Sequence, residues 1–243
     1  MSSKLQRLFV KSKLERGAEI ALDKEQAHYL GTVLRLKPGK RILLFNGKNG
    51  EWCAELVAVG RKGAEVRLEH QTRPQEDGPD LHYLFAPLKR ARLDYMAQKA
   101  TELGASALRP VITRHTTAER VKTERLRANA IEAAEQCGIL RVPEVMEPEK
   151  LSKLIDGWDP ARLLIFADEL APHASPIDAL KTRPAGPLAV LIGPEGGFER
   201  EERATLLAKS FVLPISLGPR VMRADTAAVA ALALVNAALG DWQ

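Results

Sequence analysis

The chain has 243 residues, 45% hydrophobic and 28% charged, with a net charge of +5. That balance suits a soluble globular protein of one large domain or two modest ones, and it excludes disordered, collagenous and coiled-coil chains. The only two cysteines, Cys53 and Cys137, stand far apart and outside any CxxC or Cys/His cluster, so a disulfide framework and a zinc site are not expected and a reducing cytoplasm is.

The N-terminus, MSSKLQRLFVKSK, is basic but lacks the apolar run of a signal peptide, and the apolar stretch 227–239 is too short to span a bilayer comfortably, so no membrane role is expected. Charge is unevenly spread. Residues 1–73 hold 15 Lys and Arg against 8 Asp and Glu, whereas the remainder holds 21 against 23. A basic module on a near-neutral body suits a polyanion-binding domain attached to something else; the competing reading is a surface charged for solubility.

In chain order, Leu8-Phe9-Val10 opens a short strand, and Asp23 is a plausible N-cap for a helical stretch through His28 to about Leu34. After the turn Lys37-Pro38-Gly39-Lys40 comes the strand run Arg41-Ile42-Leu43-Leu44-Phe45. The tract Asn46-Gly47-Lys48-Asn49-Gly50, with two Asn-Gly steps, then predicts a hairpin. Residues 51–57 and 63–68 alternate polar and apolar, as strands with one wet face do, and such closely spaced short strands suggest a small barrel. Residues 71–80, QTRPQEDGPD, have no apolar residue and read as a linker, dividing the chain into 1–72 and 73–243.

Beyond the linker the pattern alternates strand and helix: strand 81–88, helix 92–103, strand 107–113, helix 124–137, a short helix 151–155, strand 163–167, strand 188–192, helix 199–209, strand 211–217 and helix 225–239. The continuous apolar runs 163–167 and 188–192 are those of strands buried on both faces, and the regular alternation predicts an α/β fold with a parallel sheet.

Two glycine loops stand out: Leu191-Ile192-Gly193-Pro194-Glu195-Gly196-Gly197-Phe198 and Ser216-Leu217-Gly218-Pro219-Arg220-Val221-Met222-Arg223. Each follows a buried strand, where ligands of open α/β sheets bind, although glycine-proline turns also simply end strands. Neither GxGxxG nor GxxxxGK[ST] occurs, which disfavours a dehydrogenase or P-loop ATPase. His28, His70, His82, His115 and His173 show no metal-ligand spacing.

These loops resemble the cofactor loops of the SPOUT-class, α/β-knotted methyltransferases. In detail the chain is similar to the 16S ribosomal RNA uracil-N3 methyltransferase family (RsmE type). The likeness extends to His28-Tyr29-Leu30 with Val33-Leu34-Arg35, to Phe45-Asn46-Gly47, to Gln98-Lys99-Ala100-Thr101-Glu102-Leu103-Gly104 and to Glu132-Ala133-Ala134-Glu135-Gln136-Cys137-Gly138. It thus covers nearly the whole chain, with Ile139 where the family usually has Arg and Ala224-Asp225 where it usually has Thr-Glu. The resemblance implies a small N-terminal PUA-like β-barrel followed by a parallel-sheet domain whose C-terminal segment threads a trefoil knot, an exception to the rule against knotted chains. It further implies a homodimer that binds S-adenosyl-L-methionine, needs no metal and methylates 16S ribosomal RNA of the small ribosomal subunit. Two other outcomes are a different RNA base as target and a non-catalytic assembly factor that keeps the fold.

For the cofactor, the resemblance selects Leu191, Ile192, Gly193, Pro194, Glu195, Gly196 and Gly197 of the first loop, with Ile215, Leu217, Gly218, Met222 and Thr226 around the second. Apolar members are expected to line the adenine slot. The N3–H of uracil is a weak acid, so a base or a stabiliser of the uracil anion is needed. Arg223 is the expected stabiliser, with a salt bridge to Asp225 or Glu195 as its alternative. Asp225 is either the base or a carboxylate that orients Arg223. Arg220 and, from the barrel, Arg7, His28 and Arg35 are candidate RNA contacts.

Overall fold

A computed structural model describes residues 5–60, 63–117, 120–172 and 174–242, so His173 lies outside the described residues. They form two compact units, one of residues up to 77 together with 134–142, the other of 78–133 and 143 onwards.

In the first unit, β1 (Arg7–Phe9), β2 (Glu19–Leu22), β3 (Arg41–Phe45), β4 (Glu51–Gly60) and β5 (Gly63–Arg73) make a sheet of order β1-β3-β4-β5-β2. Only β1–β3 is parallel. Alternation in β3, β4 and β5 turns Ile42, Leu44, Leu56, Val66 and Leu68 inward, where each is at most 1% exposed. The Asn-Gly tract makes the expected hairpin: Asn46 Oδ1 accepts from the backbone N–H of Lys48 and Asn49. Gly50 is required there, since a Cβ would stand 2.2 Å from the carbonyl oxygen of Arg73. Residues 71–73 belong to β5 rather than to the linker, because Arg73 pairs with Glu51 across the sheet. The helical stretch is α1 (Lys24–His28), capped reciprocally by Asp23 and Gln26, and it runs into a π-helical turn, Tyr29–Val33. Just beyond that turn Arg35 has φ +54°, the one non-glycine residue with positive φ among those described.

The return of residues 134–142 to this unit is not legible in the sequence, and it encloses Arg7, one of the candidate RNA contacts. Arg7 is 4% exposed. Its Nε donates to Glu51 at 2.6 Å, Nη1 donates to the carbonyls of Ala134 and Glu135, and Nη2 donates to that of Ile139. The guanidinium also lies 4.5 Å from the centre of the Phe45 ring. A planar fork with five donors suits the diverging carbonyls of a helix end, which explains why arginine sits here. Glu135 accepts the N–H of Phe9, Arg73 donates to the carbonyl of Gly138, and Phe45, Ala134 and Leu140 form a small apolar core.

The second unit contains, in order, β6 (Leu81–Phe85), α2 (Arg90–Glu102), β7 (Ala107–Ile112), α3 (Thr123–Cys137, whose last four residues count with the first unit), β8 (Glu144–Val145), β9 (Glu149–Lys150), α4 (Leu151–Asp156), β10 (Leu163–Ala167), α5 (Pro176–Lys181), β11 (Leu188–Ile192), α6 (Arg200–Leu207), β12 (Val212–Ile215) and α7 (Ala224–Leu239). Its strands run in the order β12-β10-β11-β6-β7-β8, with β9 also on β7, and every pairing is parallel. All five residues of β11 are buried, as a central strand covered on both faces requires. Helix α7, rich in Ala, Leu and Val, is tied to the end of α2 by Asn236, whose Nδ2 donates to the carbonyl of Leu103 at 2.7 Å. No helix among the described residues is long and apolar enough to cross a membrane.

Candidate active site

Strands β12, β10 and β11 are neighbours, so their carboxyl ends bring three loops together: 168–170 after β10, 193–198 after β11 and 216–223 after β12. Between them lies an open-mouthed cleft of about 240 Å³, placed where ligands of open α/β sheets bind. Its apolar lining includes Ile192, Phe198, Leu217, Met222, Ala224 and Ala227. Its polar side carries Asp168, Glu169 and Arg203.

The glycines have distinct reasons to be there. A Cβ on Gly193 would stand 2.4 Å from the Phe198 ring, which itself packs edge-on against Phe166. Gly193 therefore lets Phe198 fold over the end of β11. Gly197 has φ +70°, and its N–H donates to the carbonyl of Pro194, closing the turn. Gly218 has φ +104° and nothing within 4 Å of where a Cβ would be, so the backbone there borders open space.

Of the residues expected to bind cofactor, Ile192, Gly193, Pro194, Glu195, Gly197, Leu217, Gly218 and Met222 line the cleft, and so does Arg220. Leu191 and Ile215 do not: they are 0% and 2% exposed, and the strands turn their side chains into the core. Gly196 faces His115 instead, and Thr226 is exposed on α7 with its N–H bonded to Asp225 Oδ1. In the other unit His28 and Arg35 are exposed.

Arg223 is exposed and caps α7 with extended backbone but no side-chain cap. Neither of the salt bridges weighed for it forms. Arg92, in the first turn of α2, takes both carboxylates: its Nη1 bonds Glu195 and its Nε lies 3.9 Å from Asp225 Oδ2. Beneath them, burial pushes the Tyr83 hydroxyl well above its usual range and the charge of Asp225 adds to this, so Tyr83 stays protonated. Asp168, 5% exposed, receives Arg203 through both oxygens, at 2.8 to 3.1 Å.

Sequence reasoning missed Arg92, His115, Asp168 and Arg203. Ala167-Asp168-Glu169-Leu170 did carry a signal, an acidic pair directly after a buried strand; the other three are placed by the fold alone.

Two family models match, described as an RNA methyltransferase domain over residues 75–236 and an RNA methyltransferase PUA domain over 22–69. The chain is 32% identical over 239 residues to the ribosomal RNA small subunit methyltransferase E of Rickettsia conorii, with 96% of each chain covered. It is 28% identical to the Bacillus subtilis protein of the same name, again covering 96% of each. Among solved structures, a methyltransferase from Legionella pneumophila with its cofactor S-adenosylmethionine bound superimposes with a TM-score of 0.88 at 31% identity, covering 98% of this chain and 99% of that one. A ribosomal RNA small subunit methyltransferase E from Neisseria gonorrhoeae bound to S-adenosylmethionine also gives 0.88, at 27% identity, covering 99% and 100%.

Proposed function

The chain belongs to the ribosomal RNA small subunit methyltransferase E family, and from that premise we propose that it transfers a methyl group from S-adenosylmethionine to N3 of a uridine in 16S ribosomal RNA. The observation that carries this reading is the single cleft assembled from the ends of β10, β11 and β12. Its chemistry fits the cofactor: an apolar slot for adenine, an exposed carboxylate at Glu169 for a cationic nucleoside, and open space beside the Gly218 backbone. Ile192, Gly193, Gly197, Leu217, Gly218 and Met222 would hold it. Bound there, S-adenosylmethionine supplies an electrophilic methyl group, and the protein supplies orientation and charge control.

Arg223, left without a carboxylate partner because Arg92 takes both, is the group that stabilises negative charge on the uracil as its N3 proton leaves. Asp225 accepts the Thr226 N–H at Oδ1 and lies 3.9 Å from Arg92 at Oδ2, and its carboxylate is the acceptor for that proton. Arg220, His28 and Arg35 contact the RNA backbone, and the basic N-terminal unit supplies the electrostatic attraction. The protein acts as a cytoplasmic homodimer carrying the family's trefoil knot. In that dimer a second copy of the chain would cover Val221 and Leu170, apolar residues at the cleft that are 86% and 68% exposed.

Incubation with labelled cofactor and small ribosomal subunits lacking the modification tests the reading. N3 methylation blocks base pairing, so primer extension should stop at one uridine. Label on another base, or none, overturns it.

A further inference from the structure

The turn that follows β7 plays no part in the reading above, yet it grips the glycine loop from behind. Its own shape is set by Thr113, whose N–H donates to Thr116 Oγ1 at 2.9 Å. It is docked by the N–H of Arg114, which donates to Glu202 of α6, also at 2.9 Å. Between these bonds His115 projects onto the loop. Its Nδ1 lies 3.1 Å from both the Gly196 and the Gly197 carbonyl oxygens, and its Nε2 lies 3.2 Å from Glu199, the residue that caps α6. Because both neighbours of Nδ1 can only accept, Nδ1 must carry the hydrogen.

The consequence follows from peptide geometry. In a trans peptide the C=O and the following N–H point in opposite directions. With the Gly197 carbonyl turned onto His115, the N–H of Phe198 points away from it. Gly197 and Phe198 line the cleft and His115 does not, so the ring holds the loop without itself lining the cleft. The Gly197 N–H bond to Pro194 fixes the Gly196–Gly197 peptide plane, so the Gly197–Phe198 plane is the one that gains most from the His115 anchor, since glycine adopts either sign of φ at little cost.

We propose that His115 is a positioning residue for ligand binding: by holding the Gly196 and Gly197 carbonyls outward, it sets the peptide orientation that the loop presents to the cofactor. This rests on the cleft being the cofactor site. The ring touches neither the cleft nor the reacting atoms, so its effect falls on affinity and not on the chemical step.

Calorimetry with S-adenosylhomocysteine on the full chain tests it, beside kcat at saturating cofactor and the melting temperature. The His115 side chain is 42% exposed, so substitutions leave the core intact. His115→Ala and His115→Phe should each bind about tenfold more weakly, the loss of one or two hydrogen bonds, with kcat within twofold and Tm unchanged. His115→Asn, whose amide N–H reaches the same carbonyls, should recover most of the affinity. Unchanged affinity in the Ala and Phe variants overturns the proposal, as does weakening that Asn fails to relieve. Absence of binding by the unaltered protein overturns the cofactor reading itself.

Discussion

Three arginines show how one residue type takes different work from its surroundings. Arg7 is enclosed and fully engaged, Arg92 joins two carboxylates, and Arg223 is exposed with its guanidinium available. Removing Arg7 strands Glu51 and three carbonyls in a low-dielectric interior, so Arg7→Ala should cost about 3–5 kcal/mol, read as a fall in the denaturant midpoint. An undiminished midpoint with weakened RNA binding would favour the RNA contact expected of Arg7 instead. Arg223→Ala should abolish methyl transfer while cofactor affinity, measured by calorimetry, stays within about twofold; surviving turnover would remove Arg223 from the mechanism. None of this division was legible in the chain. The carbonyl that Arg7 Nη1 meets belongs to a residue 127 positions away, and no local pattern announces such a partner.

Elements were easier to read than side-chain roles. The continuous apolar runs of β10 and β11, and the Asn-Gly hairpin between β3 and β4, declared themselves because burial on both faces and φ > 0 leave direct marks on composition. Strand β2 and helix α5 were missed: Glu-Ile-Ala-Leu and Pro-Ile-Asp-Ala-Leu-Lys are too short for a period to emerge, and pairing with β5 and packing on α7 create them. The two glycine loops are visible in the chain, but composition alone does not say that Gly193 admits the ring of Phe198. Gly193→Ala should therefore displace that ring and weaken cofactor binding at least tenfold. Titration calorimetry of Gly193→Ala alone and combined with Phe198→Leu reads this, and the smaller Leu should restore part of the loss. Equal affinity in Gly193→Ala and the unaltered protein would show that the ring yields freely.

At the scale of the whole molecule, linear order and spatial order part company. The QTRPQEDGPD tract looked like a clean boundary because solvated, proline-rich composition marks where a chain leaves a core. It could not disclose that a later segment comes back, with Leu140 buried against Phe45 and the Gly138 carbonyl receiving Arg73. A fragment ending at residue 77 would lack those partners and leave the Arg7 guanidinium facing three absent acceptors. It should show poor chemical-shift dispersion where the full chain shows native peaks; a well-dispersed spectrum would mean the returning segment is dispensable. For a protein made on a ribosome, this sets a timetable. Translation must deliver Val142 past the exit tunnel before the N-terminal unit can be completed, so the first unit to be started is made to wait.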